Sequence, residues 1–229
     1  MRVQWWQFDH GSDPIARSPD ADGFSTLSGP FEAGGVMLPQ TSLPTDVYAS
    51  SSNLKAYAID WEATKGIDFG NWSMMLGGGI RHGSVSQSYT ASITGAGGVL
   101  RSTTENRHRF DGAGPTFSLQ ARRPLMGYWS IFTMVRGSLL YGSATSALTI
   151  QDGLDLQQPF LVTSRTDRND LLPIAESQFG LEYSAYWTGL ALFGRAVVEG
   201  QLWQGAGSAS NQDSNLGFIG VTGSVGLDF

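Results

Sequence analysis

Every second residue is apolar through most of this chain, and the residues between are small, hydroxylic or charged. The last stretch shows it most plainly: Ile219, Val221, Val225, Leu227 and Phe229 alternate with Gly220, Thr222, Ser224, Gly226 and Asp228. A period of two places the apolar set on one face of a β-strand and the slim polar set on the other. The same pattern runs through 53–64, where Tyr57, Ile59 and Trp61 oppose Ala58, Asp60 and Glu62, and through 72–89, where Leu76 and Ile80 oppose Gly77, Gly79 and Arg81. It returns in 107–121, 128–142, 172–187 and 190–203. With the aromatic-rich stretch 2–10 this makes eight strands. Pro115 cannot donate to a ladder and predicts a local break within its strand.

The connections alternate in length. Segments 11–52, 90–106 and 143–170 are rich in Pro, Gly, Ser and Asp and read as long loops, whereas 65–71, 122–127 and 188–189 read as short turns. Short turns on one rim and long loops on the other belong to barrels that cross a membrane. The charges sharpen this. Asp60, Glu62, Arg81, Arg136, Glu176, Glu182, Arg195 and Glu199 all fall on the slim face, opposite the apolar one. If that face were the outside of a soluble barrel, the large side chains would fill the centre. If it lines an enclosed lumen, acids and arginines pair there and the apolar face meets lipid. The expected fold is therefore all-β: an antiparallel up-and-down transmembrane β-barrel of about eight strands, one domain over 1–229. The eight charges are expected to form a lumen-filling network, with Arg136 and Arg195 bridging Glu176, Glu182 and Glu199. An ion-selective constriction would need a wider barrel.

Composition agrees. Charged residues make up 15% and lysine occurs only at Lys55 and Lys65, while Gly reaches 30 and the aromatics include seven Trp and seven Tyr. Surfaces of soluble domains carry more charge, and the Trp residues near predicted strand ends suit interfacial anchoring. No stretch approaches the roughly 20 apolar residues of a membrane-spanning helix. A net charge of −6 argues against nucleic acid as a partner. No signal peptide is visible before the first strand.

Candidate chemistry is thin. His10, His82 and His108 are expected near the long-loop ends of strands, and Ser84 and Ser86 follow His82, but no G-x-S-x-G turn accompanies them. No catalytic residue is expected. Asp20, Asp22 and Gly23 resemble the start of a calcium loop, yet the position that needs a bidentate acid is Gly29. That stretch reads as surface loop, and no cofactor is expected.

Several stretches together resemble the Legionella-type major outer-membrane protein family of pore-forming β-barrels. They are Val3-Gln-Trp-Trp-Gln-Phe-Asp-His10, Leu54-Lys-Ala-Tyr-Ala-Ile-Asp-Trp-Glu62, Arg109-Phe-Asp-Gly-Ala-Gly-Pro115 with Arg123-Pro-Leu125, and Ala175-Glu-Ser-Gln-Phe-Gly-Leu-Glu-Tyr183. The resemblance implies the outer membrane and a pore, and supplies no catalytic residues. In that family the first of these strands follows further strand sequence, which implies a larger barrel truncated here by an N-terminal hairpin. The terminal strand is similar to the C-terminal strands of outer-membrane barrels, which implies the outer-membrane assembly machinery as a partner through Phe229, beside outer-membrane lipid. The expected function is a structural or passively conducting outer-membrane barrel. The alternatives are a lipocalin-like soluble ligand carrier and an outer-membrane lipid-modifying enzyme.

Overall fold

A computed structural model describes residues 1–21, 26–28, 32–33, 36–37, 40–187, 190–207 and 214–228. The strands are β1 (Arg2–Gly11), β2 (Ile15–Arg17), β3 (Leu27–Ser28), β4 (Glu32–Ala33), β5 (Val36–Met37), β6 (Gln40–Thr41) and β7 (Val47–Phe69). They continue with β8 (Trp72–Thr94), β9 (Leu100–Met126), β10 (Trp129–Asp152), β11 (Phe160–Trp187), β12 (Leu190–Trp203) and β13 (Leu216–Asp228). Eight of them form one antiparallel sheet in the order β1-β7-β8-β9-β10-β11-β12-β13, with β2 extending the β1 side of β7. Neighbours in the sheet are neighbours in sequence, as in an up-and-down barrel. The sheet curls into a half-barrel, and among the described residues its edges β1 and β13 are not paired with each other. Their inward aromatic rings nevertheless meet, with Trp6 and Phe8 at 5.2 and 5.1 Å from Phe218 between centroids. Among the described residues no helix is long and apolar enough to cross a membrane.

The short turns sit on one rim. Gly70 and Gly127 open the two-residue connections after β7 and β9 with φ of 59°, the left-handed region that tight hairpins require and glycine adopts without strain. The third such turn, Thr188-Gly189, lies outside the described residues, as do Asp22, Gly23, Gly29 and Phe229.

On the other rim the structure corrects the expectation. Segments 90–106 and 143–170 are mostly strand: β8 runs on to Thr94, β9 starts at Leu100, β10 reaches Asp152 and β11 begins at Phe160. Within 11–52, β7 already starts at Val47. The reason is visible in the side chains. Tyr89, Ala91 and Ile93 turn inward while Ser88, Thr90 and Ser92 turn out; Ala144, Leu148 and Ile150 turn inward while Thr145 and Thr149 turn out. The period of two persists, but its polarity is reversed, so the segments look like polar loop. Pro115 does interrupt the ladder: β9 and β10 pair at Thr116–Ser138 and again at Ala113–Tyr141, and not between.

The reversal divides the molecule into two zones. On β10 the outward positions are Trp129, Ile131, Val135, Leu139 and Tyr141, with Thr133 and Gly137 among them, then Ser143, Thr145, Ala147 and Thr149. From Trp129 to Tyr141 the strand runs about 40 Å, and a tilt of about 45° brings that to about 28 Å, close to the thickness of a hydrocarbon core. The boundary crosses the sheet in register through Trp5, Ile59, His82, Ala113, Tyr141 and Leu171. Below it Phe117, Leu181, Val198 and Val225 are exposed on the outer face while Glu182 is buried. Large apolar residues outside with a carboxylate inside is the arrangement lipid selects. It removes the lipocalin-like reading.

The inner face is less polar than expected. Ala58, Val85, Phe110, Leu140, Leu172 and Trp203 form a buried apolar layer, joined by Trp6 and Phe218. Trp6 and Trp203 therefore pack inside, whereas Trp5 and Trp61 face outward near the boundary and Trp72 and Trp129 stand beside the short turns.

Candidate functional site

The charged residues gather in the concavity of the membrane zone. Strand register makes the first pairs, because Asp60 stands opposite Arg81, Arg2 opposite Glu62, Arg136 opposite Glu176 and Glu182 opposite Arg195. Directly opposed residues on one face are the closest neighbours a sheet provides. Arg81 grips Asp60 with one edge of its guanidinium, Nε and Nη2 donating to the two carboxylate oxygens at 2.6 and 2.8 Å. Arg2 holds Glu62 and also donates to Ser118 at 2.9 Å.

Other contacts span the concavity. The second arm of Arg81, on β8, donates to Glu176 on β11 at 2.7 Å. Arg136, on β10, reaches Glu62 on β7 at 3.2 Å and Gln4 on β1 at 2.8 Å, while holding Glu176 at 3.0 Å and Asp60 at 3.1 Å. Three arginines thus meet three carboxylates, and the cluster is neutral. The side chains of Arg81 and Arg136 are 1% exposed. Charges buried to that degree persist only when paired and hydrogen-bonded on all sides, which these are. Glycine makes the room. A Cβ on Gly79 would fall on the Trp61 carbonyl oxygen of the neighbouring strand, and one on Gly77 would crowd the Glu62 carboxylate.

A second cluster lies toward the short-turn rim. Glu182 accepts from Arg195 at 2.9 and 2.6 Å and faces Arg122 at 3.4 Å, and the Arg195 guanidinium stacks 3.7 Å from the Phe132 ring centre. Glu199 departs from expectation. Among the described residues no arginine bridges it; it accepts instead from Gln178 and Thr222, both at 3.0 Å. Arg136 and Arg195 also serve separate clusters, because their register partners Glu176 and Glu182 stand six residues apart along β11. Sequence reading missed Arg2, Gln4 and Arg122. Arg2 and Gln4 share the even, inward phase of Trp6 and Phe8, and that alternation was the available signal.

His10 lies at the loop end of β1, as expected, but His82 and His108 lie well within β8 and β9. His82 lies on the outer face at the zone boundary, 3.3 Å from Asp111, and no hydrogen bond joins it to Ser84 or Ser86. His108 lies inside, above the apolar layer, with Nδ1 2.8 Å from Ser146. Burial pushes its pKa down, against a hydrogen bond with the Ala206 backbone that raises it and weaker effects of Arg168 and Asp170. Gln87 donates to the Gly207 carbonyl at 2.8 Å. These two side chains hold residues 206–207, from the connection between β12 and β13, inside the upper opening. Among the described residues no cluster of three or more His, Cys, Asp or Glu could hold a metal ion.

Stacked from the short-turn rim upward, the interior holds the Glu182 cluster, the neutral Arg81–Arg136 network, the apolar layer around Trp203, and the pinned backbone at Ala206. No curated protein and no solved structure matches the chain. Residues 1–192 match the family described as Legionella pneumophila major outer membrane protein precursor, and a β-sheet banded for lipid on its outer face accords with that match: the chain is an outer-membrane protein and belongs to this family.

Proposed function

We propose that this chain is a structural β-barrel of the outer membrane whose interior is filled, and that it carries extended strands beyond the outer leaflet. The observation that carries the reading is the neutral network of Arg2, Arg81 and Arg136 with Asp60, Glu62 and Glu176, which reaches from β8 to β11 and from β10 to β7 with every side chain but that of Arg2 almost wholly buried. Eight-stranded barrels have interiors that side chains can fill. The apolar layer around Trp203 adds a dry stratum above the network that ions do not cross cheaply. Outer-membrane lipid against the apolar band and the assembly machinery at the terminal strand are the partners of this reading. Catalysis and nucleic-acid binding have no part in it.

Planar-bilayer recording tests it. The chain, folded as judged by heat-modifiable migration, is expected to leave the bilayer at its baseline conductance. Discrete, reproducible current steps would overturn the filled-lumen reading. A passive pore is the second reading, and one observation favours it. The edges β1 and β13 are unpaired with each other among the described residues, and further strands joined there would widen the ring.

A further inference from the structure

The outer flank of β7 to β11 is tiered. Lowest is the apolar band, ending at Tyr141 and Leu171. Above it, past one row of Tyr57, Ser84, Asp111, Ser143 and Asn169, four cations face outward in successive register rows: Lys55 and Arg109 in one row, Arg107 and Arg165 in the next. Their side chains are 59–70% exposed. Arg107 and Arg165 flank the small Ala147, so their backbones stand about 10 Å apart, and Arg109 is about 7 Å below Arg107 on the same face. Higher still, Ser51, Thr90, Ser92, Thr103 and Thr149 line a groove of about 550 Å³, with Glu105, the partner of Arg107, in its lowest row.

Each cation has an acidic neighbour, and those neighbours hold them unequally. Arg165 donates to Asp167 at 2.9 Å and Lys55 lies 3.2 Å from Asp9, while Arg107 is held by Glu105 and Arg109 is 4.0 Å from Asp111. A guanidinium carries five donors and one carboxylate engages at most two or three, so each arginine keeps donors to offer. In the membrane's geometry the tiers match, in order, acyl chains, phosphate and sugar. Arginine suits phosphate because its planar fork meets two oxygens at once, and hydroxyl side chains suit sugar hydroxyls.

We propose that this flank binds a phosphorylated glycolipid of the outer leaflet, with its phosphates on Arg107, Arg109 and Arg165 and its sugars in the hydroxyl-lined groove. The site needs the outer-membrane setting and is independent of whether the lumen conducts. The lipid-borne form is the ligand, because acyl tier and arginine tier lie on the same strands with one outward row between them.

The test uses the full chain folded in detergent and titrated by native mass spectrometry with three probes: a bisphosphorylated glycolipid, its dephosphorylated form, and the free phosphorylated headgroup saccharide. The first is expected to bind at least about tenfold more tightly than either of the others. Arg107→Ala with Arg109→Ala should lower its affinity by at least about tenfold. Arg123→Ala, which removes a cation on the other rim lying 5.4 Å from the Trp72 ring, should leave affinity unchanged. Heat-modifiable migration checks that each variant is folded. If the double variant keeps its affinity, or if the dephosphorylated glycolipid binds as well, the arginine tier is no phosphate site and the proposal fails. If the free saccharide binds as tightly as the lipid, the ligand is a soluble sugar phosphate and the proposal as made also fails.

Discussion

The two zones of this barrel use one strand geometry with opposite polarity. In the membrane zone, Phe117 and Leu139 face out while Arg136 and Glu176 are buried. In the extension above it, Leu148 and Ile150 are buried while Arg107 and Thr149 face out. The strands pass from one zone to the other without a break: β10 carries both from Trp129 to Asp152. What changes is the solvent outside. Lipid rewards apolar contact on the outer face and leaves the polar groups to satisfy one another within, whereas water rewards the reverse. An open ladder edge is costly only in lipid, yet hydrogen bonding between strands is equally available in both, which is why the extension remains strand.

The largest effect expected from breaking this contrast is at the network. Arg136→Met leaves Glu62, Asp60 and Glu176 with fewer cations than carboxylates and should cost about 3–5 kcal/mol. It would be read as a shift of the urea midpoint for unfolding from lipid vesicles. An unchanged midpoint would mean that water reaches the network and the lumen is not filled. Next is a paired substitution on the outer face. Phe117→Arg should cost about 2–4 kcal/mol in bilayers, whereas Thr149→Arg, opposite Glu105 in the extension, should stay within about 0.5 kcal/mol. Equal costs in the same vesicles would erase the boundary between the zones.

In the extension's core, Leu148→Ala should cost about 2–4 kcal/mol where a cavity is left, and less where the site collapses. The same truncation at the lipid-facing Leu139 should cost less than at Leu148, because lipid chains fill the space. A Leu139 penalty as large as the Leu148 one would place Leu139 in a protein core.

The smallest effect concerns His108. Its folded pKa lies below the ordinary 6.5 because burial disfavours the cation, so the unfolded chain binds the proton first. Stability from this group is complete above about pH 6.5 and falls as pH drops through the window beneath it. The protection factor of the Gly207 amide, whose N–H donates to Ser214, should fall on acidification, and His108→Gln should remove that fall. A protection factor that is insensitive to pH in the wild type would mean His108 does not hold the connection.

Asp167 works in the same direction at lower pH. The hydrogen bond from Arg165 holds its carboxyl below the ordinary 3.8. Its contribution is therefore present above that value and lost as pH falls further.

Much of this was legible in the chain. Alternation located the strands of the membrane zone, and the sharing of one face by Asp60, Glu62, Arg81, Arg136 and Glu176 followed from their phase alone, because side chains in a strand must alternate. The extension was hidden because its apolar residues occupy the phase that is polar below, and because Ser and Thr suit loops and water-facing strands alike. The partners of each charge were less accessible still. Cross-strand pairs such as Asp60–Arg81 depend on register, which the turns at Gly70 and Gly127 set. The bonds from Arg81 to Glu176 and from Arg136 to Glu62 depend on how tightly the sheet curls. So the sequence determined which residues face lipid and which face inward, through a local rule of period two. Only the tertiary structure decided which inward charges meet, that Glu199 meets Gln178 and Thr222, and where water replaces lipid outside a continuous strand, because those outcomes rest on distances between residues far apart in the chain.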